Sequence, residues 1–210
     1  MEPIDLNAWG RKELYTFFSG MSQPFYSVSF TVDVTDVYRY VKPRGLSFYY
    51  ALVYLCTQAV NEVDAFQYVI QGQTVFHIPR RIPSFTDLKP GSDTFHIVTL
   101  PAGEDLDAFC TAARAKSRAQ TSFLDQASET ADLIYFTCLP WVELTAMTNE
   151  RDFDPDDSVP RIGWGRYREE NGRKTLQISM ELNHRLTDGV HVGRFYEALC
   201  CGIQALSSPA

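Results

Sequence analysis

The chain has 210 residues, 45% of them hydrophobic and 21% charged, with a formal net charge of −7; that balance can bury a core and still shape a pocket. An acidic surplus argues against a nucleic-acid backbone or an anionic membrane as the main partner. Small molecules remain open, because a local basic pocket can outweigh the global charge.

Residues 1–6 lack a basic segment followed by an apolar run, so no secretory signal is expected. Residues 46–63 are apolar but carry Ser47, Tyr49, Tyr50, Thr57, Gln58, Asn61 and Glu62, the pattern of a buried core helix rather than a membrane span. Cys56, Cys110, Cys138, Cys200 and Cys201 are odd in number and lack the paired spacing of a zinc site. Five reduced thiols in a cytoplasmic protein are expected, with no cysteine nucleophile and no metal.

Residues 9–19 predict a first helix, with Trp9, Leu14, Phe17 and Phe18 on one side. Residues 26–33 alternate and predict a strand, 35–41 a short helix, and 46–63 the core helix. Two short runs, 66–70 and 74–78, are joined by Gln71-Gly72-Gln73 as a hairpin and ended by Pro79. Strands are predicted at 82–86 and 94–100, and a helix at 105–120 with Leu106, Phe109 and Ala113 as its apolar stripe. Residues 133–139 form a continuous apolar run, expected as a strand buried on both faces. Residues 150–158 read as an acidic, solvated loop. A hairpin around Asn171-Gly172 joins 166–170 to 174–182, and a last helix over 190–206 buries Val192, Phe195, Leu199 and Ile203. The irregular mixture of hairpins and crossovers predicts an α/β fold, more exactly an α+β two-layer sandwich, with a mixed sheet covered by helices in a single domain over 1–210. No phosphate-cradling glycine loop or dinucleotide fingerprint is present.

The most informative segment is 181–189, in which His184 is followed by Asp188 and Gly189. It leaves an alternating strand and enters an apolar helix. A glycine free to take positive φ at such a turn would let the chain hold an imidazole rigidly at a strand end, where a general base is needed. Alone, the pattern His-x-x-x-Asp-Gly is short, and a surface i,i+4 pair or a helix cap would explain it equally well.

Further segments, in order, decide between these readings: Trp9-Gly10-Arg11-Lys12-Glu13, Phe48-Tyr49, Gln58-Ala59-Val60-Asn61, Leu139-Pro140-Trp141-Val142, and His184 to Gly189 followed by 190–195. With these, the chain resembles the chloramphenicol acetyltransferase family from about residue 5 to 203. The resemblance implies an acetyl-CoA-dependent O-acetyltransferase, with chloramphenicol as the leading acceptor, assembled as a homotrimer with active sites between subunits. His184 matches the catalytic base and Thr137 the position of a serine that donates to the tetrahedral oxyanion. Asp188 matches a structural aspartate, and Arg11 its arginine partner from the first helix. Trp141, Tyr49 and Tyr167 match aromatic positions of the coenzyme A tunnel, though plain core packing would also account for them. Phe18, Tyr26 and Phe95 offer aromatic walls to an acceptor. Direct attack by the acceptor needs no protein nucleophile, in keeping with the absence of an activated serine or cysteine.

Several positions depart from the family pattern. Asn183 replaces the first histidine of the paired motif, Gly163 a threonine that helps hold a water, and Pro24 a frequent cysteine. Met147, Asn149, Arg151 and Arg161 stand where apolar residues hold the chloramphenicol body, which points to an altered acceptor or a weak one. His191 is expected as a packed or partly exposed helix histidine, and His77 and His96 as structural. Two alternatives follow: an acyltransferase of the same mechanism for another hydroxylated small molecule, or a non-catalytic relative that binds a small aromatic molecule.

Overall fold

The computed structural model describes residues 1–89, 91–152 and 154–207. Strands β1 (Glu2–Pro3), β3 (Tyr68–Gln71) and β4 (Thr74–His77) form a small antiparallel sheet in the order β1-β4-β3. The main sheet contains β2 (Phe25–Asp33), β5 (Ile82–Leu88), β6 (Phe95–Thr99), β7 (Leu133–Leu139), β8 (Arg161–Gly165), β9 (Arg168–Glu170) and β10 (Arg173–Asn183). Its order is β2-β10-β8-β7-β5-β6, with β9 paired to β10. β7 runs parallel to both β5 and β8 while every other pair is antiparallel, so the sheet is mixed, as expected.

Helices α2 (Thr35–Arg44), α3 (Phe48–Asn61), α4 (Leu106–Ala119) and α5 (Gly189–Ala205) cover one face of this sheet. α3 lies at the centre. Ser47 caps its start by accepting the Tyr50 amide at 3.3 Å, one of the donors a helix N-terminus leaves unpaired. Its residues from Tyr50 to Thr57 are all buried, which explains an apolar pattern that runs around the whole helix. Phe85, Phe136, Ile162 and Trp164 meet it from the sheet. Helix α1 (Lys12–Ser19) stands apart, and its Tyr15 joins Ile70, Val75 and Leu186 in a second apolar cluster against the small sheet.

Several sequence expectations need correction. Helix α1 begins at Lys12, which leaves Arg11 at its N-cap rather than inside it. Residues 64–67 form a 3-10 turn, so the strand expected from residue 66 starts at Tyr68. The 71–74 connection needs only Gly72 and Gln73 between paired Gln71 and Thr74, with Gly72 at φ +59°. β7 is buried on both faces only in its first half. From Tyr135 onward its residues, Phe136 excepted, are partly open, and Leu139 is exposed.

β8 is a central strand that escaped sequence reading. Its Ile162 and Trp164 point into the core, while Gly163 and Gly165 alternate with them. The glycines are required by close approach. A Cβ on Gly165 would lie 2.5 Å from the Val142 carbonyl oxygen, and one on Gly163 would lie 2.5 Å from Met147 Sδ. The segment after β7 therefore rests directly on the outer face of β8. No helix among the described residues is long and apolar enough to cross a membrane.

Candidate active site

The chain leaves β10 at Asn183 and turns through residues 184–188 before α5. The Asn183 carbonyl accepts the Leu186 and Thr187 amides at 3.0 and 3.1 Å and the Thr187 hydroxyl at 3.2 Å. These bonds make the turn. Gly189 does not: its φ is not positive, it is the first residue of α5, and the space at its Cβ is open. The conformational role expected of this glycine is absent.

His184 sits at the head of the turn with about a third of its side chain exposed. Its ring stacks on Phe18 (4.0 Å between centroids, 16° between planes), and Tyr26 lies 4.5 Å away on a tilted plane. Nδ1 lies 3.0 Å from the Thr187 carbonyl oxygen and 3.2 Å from an Asp188 carboxylate oxygen. Both neighbours can only accept, so Nδ1 carries the proton and Nε2 offers its lone pair.

Arg11 fastens this turn from beneath. Nε donates to the Arg185 carbonyl at 2.9 Å, Nη2 to the His184 carbonyl at 2.9 Å and to Asp188 at 2.8 Å, and Nη1 makes a second contact with Asp188. The bidentate grip holds the Asp188 carboxyl below its ordinary pKa range, helped by the Arg11 charge against the opposing effect of burial. His191 does more than pack against its surroundings. Its Nδ1 accepts the Asp188 amide at 2.9 Å and closes the start of α5. Burial and the Arg11 charge lower its pKa, which keeps the ring neutral as that acceptor role demands.

Thr137 lies elsewhere, on β7, where the Thr86 hydroxyl donates to it at 3.3 Å. Both line an open cleft of about 1030 Å³, together with Tyr49, Phe95, Trp141, Arg151 and Arg161. Tyr49 is fixed by donating to the Thr86 carbonyl at 2.8 Å, and Phe95 meets Phe123 edge to face at the rim. Trp141 is 67% exposed. Tyr167 is not part of this lining; it packs with Tyr38, Phe48 and Lys174. Cys138 also lines the cleft, and burial pushes its thiol up to about 12, as it does for Cys110, so neither supplies a thiolate.

His184 and Thr137 are not brought together within one chain. Thr137 pairs with Gly163 and Gly163 with Ser179, so the two residues lie two strands across and five residues along. At about 4.8 Å per strand and 3.3 Å per residue, they are separated by about 19 Å. Phe18 and Tyr26 go with His184, while Phe95, Tyr49 and Trp141 go with Thr137.

Residues 1–200 match the chloramphenicol acetyltransferase family. This chain belongs to that family. It is 26% identical to chloramphenicol acetyltransferase 3 of Escherichia coli, over 93% of each chain. A solved chloramphenicol acetyltransferase superposes with a TM-score of 0.87 at 24% identity, covering 95% of this chain and 98% of that one. A truncated catalytic core of the 2-oxoacid dehydrogenase complex from Thermoplasma acidophilum shares the fold at a TM-score of 0.67 and 17% identity, over 99% and 100%.

Asn183, Arg151 and Arg161 all meet on the stretch from Pro155 to Asp157. Asn183 donates to the carbonyls of Pro155 and Asp157, both at 2.9 Å. Arg185 reaches Pro155 and, at 2.6 Å, the Asp156 carboxylate. Asp157 in turn accepts from Arg151 at 2.9 Å and Arg161 at 2.7 Å. The acidic loop is thus pinned by ion pairs at Asp156 and Asp157, while Glu150, Asp152 and Asp154 are exposed as expected; Phe153 lies outside the described residues. Met147 fills the space over Gly163. Asn149 donates to Glu181 from both its amide and its side chain. His77 pairs with Asp64, and His96 bonds buried Ser117. The anchoring roles of Arg185 and Asp157 were missed by sequence reading: the partners of Arg185 lie 29 and 170 residues away, and those of Asp157, six and four residues off, meet it across an irregular loop without a periodic pattern.

Proposed function

We propose that this chain is an acetyl-CoA-dependent O-acetyltransferase, formed by one domain, that acts on chloramphenicol with His184 as general base. The observation that carries the reading is the state of the imidazole. Nδ1 is occupied by the Thr187 carbonyl and Nε2 is left as an acceptor in an aromatic slot of Phe18 and Tyr26. In this mechanism Nε2 takes the proton of the acceptor hydroxyl as its oxygen attacks the thioester carbonyl. The Thr137 hydroxyl donates to the tetrahedral oxyanion, a contribution of about 3–4 kcal/mol to the barrier for a well-placed donor. Collapse breaks the carbon–sulfur bond, and the departing thiolate recovers the proton from the imidazolium. No acyl-enzyme forms.

Arg11 and Asp188 hold the turn, and Tyr49 and Trp141 of the cleft, without Tyr167, receive coenzyme A. Phe18, Tyr26 and Phe95 contact the acceptor. The separation of about 19 Å estimated from strand spacing supports a site shared between copies: His184 of one subunit faces Thr137 of its neighbour in a cytoplasmic homotrimer. Acetyl-CoA and chloramphenicol are mixed with the protein and thiol release is followed. Release that requires both, with acetylated chloramphenicol as product, is the expected result. Release only with another alcohol would replace the acceptor, and tight ligand binding with no turnover of any acyl-CoA would replace the enzyme by a binding protein.

A further inference from the structure

We propose that the preferred acceptor carries a carboxylate or similar flat oxyanion, held by the Nε–Nη2 edge of Arg161 with Arg151 behind it. This rests on the acetyltransferase reading and makes chloramphenicol, which has no carboxylate, an accepted rather than the preferred acceptor. Arg161 is on the same face of the sheet as Thr137, since Tyr135 pairs with Arg161 and Thr137 with Gly163. One strand across and two residues along places their backbones about 8 Å apart, close enough for one small molecule to touch both.

The two guanidiniums are under-compensated. Among the described residues each spends only Nη1, and both spend it on the same Asp157 oxygen, with the Val159 carbonyl as a further acceptor for Arg161. The Arg151 side chain is 7% exposed, lines the cleft, and leaves Nε and Nη2 buried without a partner among the described residues. Its cationic form is disfavoured by burial and by Arg161, with Asp157 and Glu181 opposing. Glu181 is itself engaged by both Asn149 donors, and Arg151 stacks on Phe25 at 3.8 Å.

The cleft's other carboxylates do not fill the gap. Glu129 accepts from the Tyr135 phenol at 3.0 Å, and Asp87 from Tyr50 and Ser117 at 2.5 Å each. Asp93, Glu150 and Asp152 are exposed. The free Nε–Nη2 edge of a guanidinium matches the two oxygens of a carboxylate. The Tyr135 ring, 5.5 Å from the Arg161 guanidinium, gives an aryl group a surface beside that edge.

The test compares 4-(hydroxymethyl)benzoate with 4-(hydroxymethyl)benzamide as acceptors in the full-length protein, and measures binding of each by calorimetry without acetyl-CoA. A charge-assisted bidentate pair predicts a preference of about 10- to 100-fold for the carboxylate in kcat/KM and in affinity. Arg161→Gln should erase it. Arg161→Lys should erase most of it, because the charge stays and the fork is lost. Acetylation of chloramphenicol with no carboxylate preference overturns this inference and leaves the acetyltransferase intact. Arg161-dependent carboxylate binding with no acetylation of any alcohol keeps the oxyanion site and removes the acetyltransferase. Failure of the benzoate to bind, with loss of the assembly in Arg161→Gln, would assign the guanidinium to a carboxylate of a second copy and overturn the proposal.

Discussion

Replacing the His184 imidazole by a methyl group removes the proposed base, while the turn keeps its Asn183, Thr187 and Arg11 bonds. His184→Ala is therefore expected to lower kcat by about 10²–10⁴-fold, the usual worth of general base catalysis, with circular dichroism unchanged. A rate near wild type would move the base elsewhere. Asp188 acts differently, through stability. Its folded pKa is lowered, first by the Arg11 hydrogen bond. Its contribution is thus complete above the unfolded value of 3.8 and lost as pH falls through the lower folded value. Asp188→Asn should cost on the order of 2–3 kcal/mol at neutral pH, less than in a fully buried pair because a quarter of the Asp188 side chain is exposed. Melting curves of mutant and wild type should converge below pH 3.8; a constant gap down to strong acid would deny the ion pair that role.

Among elements, β8 and β10 show what the sequence discloses and what it withholds. β10 was legible because it alternates and is followed by a helix with its own apolar stripe. The two-residue turn before it was legible from Asn171-Gly172, which indeed takes φ of +50° and +78°. β8 was not, because two glycines in five residues resemble a loop. Their cause is a segment about twenty residues earlier that lies on them, a relation no local pattern records. This gives a packing prediction. Gly163→Ala forces Met147 aside and should lower stability by about 1–3 kcal/mol, as overpacking does. Met147→Ala in the same chain should recover most of it, since the obstruction is a side-chain end. Non-recovery in a thermal melt would place the conflict at Thr137 Cγ2, 3.1 Å away. The motif residues were legible by type and order, whereas the anchoring by Asn183, Arg185 and Asp157 depends on tertiary contact.

At the scale of the whole molecule, the distance between imidazole and threonine makes the subunit arrangement testable without a structure of the assembly. His184→Ala and Thr137→Ala chains are each expected to be nearly inactive alone. Unfolded together and refolded at equal amounts, they should regain about a quarter of wild-type activity, because in a cyclic assembly one boundary in four then carries both intact residues. No regain would mean that both groups serve within one chain. Exposed Leu14, Phe17 and Met21 on and after α1, and Leu88, Phe95 and Phe123 by the cleft, give such an assembly apolar surface to cover.

The pinned stretch from Pro155 to Asp157 has a consequence for how such an enzyme can change. One end of it, together with the Asp157 carbonyl, is tied to the histidine-bearing bend, and the other end, through the Asp157 carboxylate, to the cleft arginines. If neighbouring copies complete each other's centres, those two ends serve different centres of the ring. A single exchange in this stretch would then disturb turnover at one and ligand choice at the next, so selection could not adjust the two traits separately.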